Sequence, residues 1–122
     1  MYSVADIGCG AGAQSILWAE LGHKVHGLDV NAQWLDLARK RATGAGYDIE
    51  FVVGSVTSLP WPDCSMDVCV VVELLEHVAD WQRCLDEFAG ALVWGGSLHL
   101  NDEQTMSISE RIQFAALQLV SR

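Results

Sequence analysis

The sequence predicts an α/β fold in which a doubly wound parallel sheet carries helices on both faces. Short apolar segments with strand character alternate with segments of helical periodicity, and this order is typical of parallel sheets. A glycine-rich stretch, DIGCGAGAQ at residues 6–14, directly follows the first strand. The apolar run from Val68 to Val72 is expected to lie at the buried centre of the sheet.

Five strands and four helices are predicted in order. Asn31 is expected to cap the second helix, which ends at Gly44, and Asp80 to cap the third, which ends at the Gly95–Gly96 pair. Ser107 and Glu110 form a capping box that predicts a last helix. The strands are expected at residues 2–7, 24–30, 49–54, 66–72 and 97–101, and the first helix at 12–22.

Length and composition indicate one domain, residues 1–122, without a nucleic-acid partner. The chain has 122 residues, enough for a single core. Sixteen acidic and seven basic residues give a net charge of −9, which repels a phosphate backbone. No apolar run is long enough to span a membrane, and the start lacks a secretory pattern. Four cysteines without CxxC pairing fit reduced thiols, so we expect a cytoplasmic protein.

The glycine-rich stretch predicts an adenosine-binding site at the carboxyl edge of the sheet. Glycine lets the backbone approach a ligand closely, and Asp29 closes the second strand at the position from which a carboxylate can accept both ribose hydroxyls. An ordinary glycine-rich turn is the alternative. Gly8, Gly10 and Ala13 also satisfy the dinucleotide pattern GxGxxG/A, so a nicotinamide-dependent oxidoreductase stays open at this point.

Several motifs in order resemble the class I methyltransferases, which use S-adenosylmethionine (SAM). VADIGCGAG resembles the first motif of that family, HGLDVN its ribose-binding acidic motif, LPWPDCSMDV the loop and fourth strand, and ELLEHVAD the segment after it. Within that family, the region of the fourth strand most resembles small-molecule O-methyltransferases of the ubiquinone-biosynthesis type. The resemblance implies a Rossmann-like fold, a SAM cofactor and a small-molecule acceptor.

Carried over position by position, the resemblance also implies the cofactor contacts. Asp6 is oriented toward the ammonium group of SAM, and Asp29 holds the ribose. Glu73 faces the sulfonium end. The remaining implied contacts border the methionine part (Gly8, Cys9, Gly10, Gly12), lie along the adenine (Val30) or border the adenine edge (Ser55, Val56).

An acidic and histidine segment follows the fourth strand. Glu73, Glu76 and His77 fall at i, i+3 and i+4, on one face if the segment is helical. Two carboxylates and an imidazole can hold a divalent cation, and in the resembled ubiquinone-type enzymes such a segment is associated with metal. His77 is the predicted general base for a hydroxyl acceptor. The alternative is that the acids only complement a helix terminus.

The chain is shorter than the family pattern implies. We expect a truncated sheet of about five strands, with no lid before the first strand and no closing antiparallel strand pair. A non-catalytic SAM-binding module that needs a partner chain is therefore the alternative to an active methyltransferase. Self-association is expected near the fifth strand and the last helix, at an apolar stripe of Phe114, Leu117 and Val120.

Overall fold

The computed structural model describes residues 1–71, 80–101 and 104–107. It contains three helices and six strands in these residues. The strands are β1 (Ser3–Ile7), β2 (Lys24–Asp29), β3 (Glu50–Val53), β4 (Met66–Val70), β5 (Leu92–Asn101) and β6 (Gln104–Ser107), and the helices are α1 (Ala13–Glu20), α2 (Ala32–Gly44) and α3 (Trp81–Ala91).

The six strands form one sheet in the order β3-β2-β1-β4-β5-β6. The first five run parallel, so the predicted five parallel strands are confirmed. The strand order reverses between β1 and β4, which makes the carboxyl end of β1 the switch point of the sheet. The glycine-rich loop begins there.

One antiparallel strand, β6, follows β5 at the end where no closing antiparallel strand pair was expected. β6 pairs antiparallel with β5, with Leu98 opposite Met106. No strand was predicted from the sequence at residues 104–107. β6 forms because its backbone pairs with the edge of β5, and a partner of this kind is not visible in the local sequence pattern. Because β6 covers that edge, the self-association prediction now rests on the stripe at Phe114, Leu117 and Val120, which lies outside the described residues, as does the predicted last helix.

The third helix is shorter than predicted and β5 is longer. α3 ends at Ala91, and Leu92, Val93 and Trp94 already belong to β5. The Gly95–Gly96 pair, expected to end the helix, lies within the strand, where the register against β4 shifts. A Cβ on Gly96 would lie 2.9 Å from the carbonyl oxygens of Asp67 and Val93. The glycine therefore permits a bulge in which two backbone segments approach closely.

Opposite faces of the sheet carry different cores. On the α3 face, side chains from all five parallel strands or their ends pack with Phe88 and Leu85 of α3 in a large apolar cluster. On the α1/α2 face, a smaller cluster joins α2 to β3 through Leu35, Ala38, Ala42 and Phe51. Alternation along β1 places Ala5 and Ile7 in the large cluster and Asp6 on the α1/α2 face.

The connection from β3 to β4 is a loop, residues 54–65, that α3 holds in place. Glu87 accepts a hydrogen bond from the amide of Leu59 at 2.8 Å, and Arg83 donates to the carbonyl oxygen of Thr57 at 2.9 Å. Leu59 and Trp61 pack against the large apolar cluster. In the described part of the chain, no helix combines the length and apolar character needed to cross a membrane.

Candidate cofactor-binding site

The glycine-rich loop leaves β1 with three glycines in the left-handed region. Gly8, Gly10 and Gly12 have φ values of 78°, 55° and 84°. The amides of Gly8 and Cys9 both donate to the carbonyl oxygen of Leu28, at 2.7 and 3.0 Å. The loop is therefore fastened to the end of β2 before any ligand binds.

Gly10 and Gly12 serve different purposes. A Cβ on Gly12 would lie 2.9 Å from the Cβ of Ala38, so glycine is needed there for the packing of α2. A Cβ on Gly10 would meet nothing within 4 Å. The open space beside Gly10 lies next to the Asp29 carboxylate and is available to a ligand.

Asp29 joins the loop to the start of α2. Its Oδ2 accepts a hydrogen bond from the Gly10 amide and its Oδ1 accepts one from the Asn31 amide, both at 2.9 Å. The predicted cap of α2 is confirmed, because the Asn31 side chain accepts from the amides of Gln33 and Trp34 at 3.0 and 3.1 Å. Each Asp29 oxygen carries further lone pairs for ligand hydroxyls.

Three residues of β2 and α2 thus hold three consecutive residues of the loop. Asp29 binds Gly10, and Ala38 packs where a Cβ of Gly12 would lie. Arg41 donates to the carbonyl oxygen of Ala11 at 3.2 Å. Arg41 was not among the predicted site residues, because its contact with Ala11 joins residues thirty positions apart.

A second carboxylate, Asp6, lies at the end of β1 and is only 5% exposed. The hydroxyl of Ser15, in the first turn of α1, donates to its Oδ2 at 2.6 Å. Burial raises the pKa of Asp6 above its ordinary value of 3.8; the Ser15 hydrogen bond opposes the rise, and the charge of Asp29 adds to it. Ser15 was not among the predicted site residues. A serine inside the first helical turn, rather than at its cap, was the available signal.

Cys9 is half-buried, and its thiol stays protonated at neutral pH. Burial, with the nearby charges of Asp6 and Asp29, raises the pKa of the Cys9 thiol to about 12. Its sulfur lies 3.0 Å from where a Cβ on Gly27 would stand. Cys9 therefore contributes shape to the loop and does not act as a nucleophile.

The predicted adenine-side residues fall into two groups. Val30, which follows Asp29, is 73% exposed and offers an apolar surface beside the ribose-binding position. Ser55 is exposed after β3, and its hydroxyl bonds that of Thr57 at 2.7 Å. The side chain of Val56 packs in the large cluster of the α3 face, so only its backbone groups remain for a ligand.

The predicted acidic and histidine segment lies outside the described residues. Glu73, Glu76 and His77 therefore stay predictions, both as metal ligands and, for His77, as a base. Within residues 1–71, 80–101 and 104–107, no group of three or more His, Cys, Asp or Glu side chains could hold a metal ion.

The fold places the glycine-rich loop and the Asp29 carboxylate at the switch point of a parallel α/β sheet, the position at which such folds bind ligands. The family model for the methyltransferase domain matches residues 5–100, and the chain belongs to this family. It is 36% identical over 96 residues to a ubiquinone biosynthesis O-methyltransferase of Idiomarina loihiensis, covering 78% of this chain and 40% of that protein. It is 30% identical over 105 residues to a malonyl-[acyl-carrier protein] O-methyltransferase of Serratia marcescens, covering 86% and 40%.

Solved structures agree with this assignment. A SAM-dependent methyltransferase of Methanosarcina mazei superposes with a TM-score of 0.73 at 30% identity, covering 80% of this chain and 50% of that one. The [4+2]-cyclase SpnF superposes with a TM-score of 0.78 at 20% identity, covering 93% and 51%, and this likeness concerns the fold alone. The chain spans about 40% of the length of the two curated relatives named above.

Proposed function

We propose that this chain is the SAM-binding core of a methyltransferase that acts on a small-molecule acceptor. The observation that carries the proposal is the arrangement of two carboxylates, Asp6 and Asp29, on either side of a glycine-rich loop. Such a site favours a cationic nucleoside, because negative charge attracts the ammonium and sulfonium groups of SAM. Membership of the methyltransferase-domain family supports the same ligand.

Three amides of the glycine-rich loop are not free to bind a phosphate. A phosphate-binding loop directs free backbone amides at the anion. Here the amides of Gly8 and Cys9 bond Leu28, and that of Gly10 bonds Asp29. Two flanking carboxylates would also repel a pyrophosphate. These features favour SAM over the nicotinamide alternative, although both ligands contain adenosine.

The residues present fit the parts of SAM. Asp29 accepts from the ribose hydroxyls, Val30 lies along the adenine, and the open space at Gly10 admits the ligand close to the backbone. Asp6 is the counter-ion for the ammonium group. When bound, SAM supplies a methyl group activated by a cationic sulfur, and the chain's own contribution is to bind and orient the reactants and to exclude water.

His77 is proposed to accept the proton of a hydroxyl acceptor. This role rests on the resemblance of the ELLEHVAD segment to the ubiquinone-type enzymes. Glu73 and Glu76, with His77, are the proposed ligands if a divalent cation takes part. Chelator treatment that leaves turnover unchanged would remove the cation from the proposal and leave His77 as base.

Calorimetric titration with SAM tests the binding proposal. We expect wild-type protein to bind SAM and Asp29→Ala to bind at least about tenfold more weakly, because charge-assisted hydrogen bonds contribute roughly 1.5–3 kcal/mol each. Asp48→Ala is the matched control. Asp48 is an exposed acid just before β3, so it lies at the amino ends of the strands, whereas Asp29 lies at the carboxyl ends. The control variant is expected to bind as wild type does.

Two outcomes would redirect the assignment. Binding of NADH without binding of SAM would promote the oxidoreductase alternative. SAM binding without release of S-adenosylhomocysteine from any small acceptor would favour the non-catalytic module. Release of S-adenosylhomocysteine with a phenolic or carboxylic acceptor would support the methyltransferase.

A further inference from the structure

We propose that Ser15 is a positioning residue that orients Asp6 and keeps it ionisable, so that binding of the cofactor's ammonium group is linked to the ionisation of Asp6. The inference rests on the proposed function in taking SAM as the ligand. It goes further by assigning a role to a buried serine and a pH dependence to the ammonium subsite.

Asp6 has few neighbours that can stabilise its charge. Across the sheet on the α1/α2 face, its neighbours in register are Gly27 on β2 and Val70 on β4. Neither can donate a side-chain hydrogen bond or compensate the charge. From α1, Ser15 is fully buried and gives its hydroxyl to Asp6. Among the described residues, Ser15 provides the one side-chain hydrogen bond to this carboxyl group.

The charged groups around Asp6 make ionisation harder. Asp29 at the end of β2 is of like charge and raises the pKa of Asp6. Cys9, in the loop, is neutral at ordinary pH because its pKa is about 12. His99 on β5 pairs in register with Val70, which itself pairs with Asp6. Burial lowers the pKa of His99 and so favours its neutral form. No cation among the described residues compensates Asp6 in the unliganded protein.

Ser15 therefore has a purpose separate from helix capping. The N-cap of α1, Gly12, has no side-chain cap hydrogen bond, and Ser15 directs its hydroxyl to Asp6 instead. The first turn of α1 also contains no acidic residue, so Asp6 supplies negative charge near the positive end of the helix dipole. Both interactions favour the ionised carboxylate against the cost of burial.

The linkage follows from electrostatics. An ammonium group held next to Asp6 favours the carboxylate, so the ligand binds the ionised form more tightly than the protonated form. A protonated Asp6 must release its proton to solution when the ligand binds. Affinity consequently falls as pH drops below the pKa of Asp6 in the free protein, by up to about tenfold per pH unit.

Two nucleosides separate this effect from a general effect of pH on the protein. S-adenosylhomocysteine carries the ammonium group, whereas 5′-methylthioadenosine shares the adenosine and thioether but lacks the amino-acid part. We expect the affinity for S-adenosylhomocysteine, measured by calorimetry at stepwise lower pH from neutrality down to the acid limit at which the protein stays folded, to fall toward acid pH. The affinity for methylthioadenosine should stay level over the same range.

Variants test the role of Ser15. Removing the hydroxyl raises the pKa of Asp6 further, so Ser15→Ala should move the fall in S-adenosylhomocysteine affinity to higher pH. Ser15→Thr keeps the hydroxyl and should restore the wild-type profile. Asp6→Asn should abolish the fall and leave weak binding at every pH. Methylthioadenosine affinity should not change in Ser15→Ala, which shows that the adenosine half of the site is intact.

The results that would overturn the inference are distinct from failure of the proposed function. Superimposable profiles for wild type and Ser15→Ala, or an equal acid fall for methylthioadenosine, would refute it while leaving SAM binding in place. If neither nucleoside binds wild-type protein at any pH, the proposed function itself fails. Should Ser15→Ala not fold, the comparison of the two nucleosides on wild-type protein, together with Ser15→Thr, still decides the proton linkage.

Discussion

The two faces of the sheet differ in what their residues are used for. The α3 face is packed with apolar side chains, among which Phe88, Leu85 and Leu98 are fully buried. The α1/α2 face has a smaller apolar cluster. The buried carboxyl group of Asp6 and the glycine-rich loop occupy another part of this face, where apolar side chains would otherwise pack. One face therefore mainly stabilises the protein, whereas the other gives up apolar packing for a candidate ligand site.

Removing a large side chain from the α3 face tests the stabilising role and is expected to have the largest effect. Phe88→Ala should lower the free energy of unfolding by about 3–5 kcal/mol, because a buried aromatic ring is lost and a cavity remains. Urea titration measures the change. Trp94→Ala is the control, since Trp94 is 78% exposed. An equal loss in both variants would contradict the comparison.

The glycines of the loop separate packing from ligand space on the other face. Gly12→Ala should cost about 2–4 kcal/mol of stability, from left-handed strain plus the contact with Ala38. Gly10→Ala has the strain without the contact and should cost about 1–2 kcal/mol. Gly10→Ala should nevertheless weaken SAM binding, because the new methyl group enters the open space beside Asp29. Thermal melts and SAM titration distinguish the two effects.

The buried carboxyl group predicts an unusual pH dependence of stability. The folded-state pKa of Asp6 is raised, so the folded protein binds a proton more tightly than the unfolded chain does. The contribution of Asp6 to stability is therefore most favourable below pH 3.8 and is lost as pH rises through the folded-state pKa. Asp6→Asn should remove this term, which cannot exceed about 1.4 kcal/mol per pH unit. Urea titrations of both proteins across this window measure the difference, and identical pH profiles would contradict it.

The helix caps give the smallest difference between the faces. Asn31 caps α2 with two hydrogen bonds at 3.0 and 3.1 Å, whereas Asp80 caps α3 with one at 3.3 Å. Asn31→Ala should cost about 1 kcal/mol and Asp80→Ala less. The melting temperatures of the two variants give the order. A larger loss of stability in Asp80→Ala than in Asn31→Ala would show that the number and length of the cap hydrogen bonds do not set the contribution of each cap.

The sequence predicted the parts of the fold that depend on local signals. Alternating strand and helix patterns gave the five parallel strands, and Asn31 and Asp80 were recognised as caps from residue type and position. The end of α3 was predicted too late because two glycines usually stop a helix. In the structure Gly95 and Gly96 instead permit a bulge in β5, which depends on the close approach of Asp67.

The glycine-rich loop, the acid at the end of β2 and the order of elements that brings both to the carboxyl ends of the strands could all be predicted from the amino-acid sequence. Those features follow from residue type and short spacing, which act locally along the chain. Three contacts became apparent only in the folded protein: Ser15 donates to Asp6, Arg41 donates to the carbonyl oxygen of Ala11, and Ala38 packs where a Cβ of Gly12 would lie. These contacts depend on how helices pack on the sheet, and packing between distant segments leaves no periodic signal in the sequence.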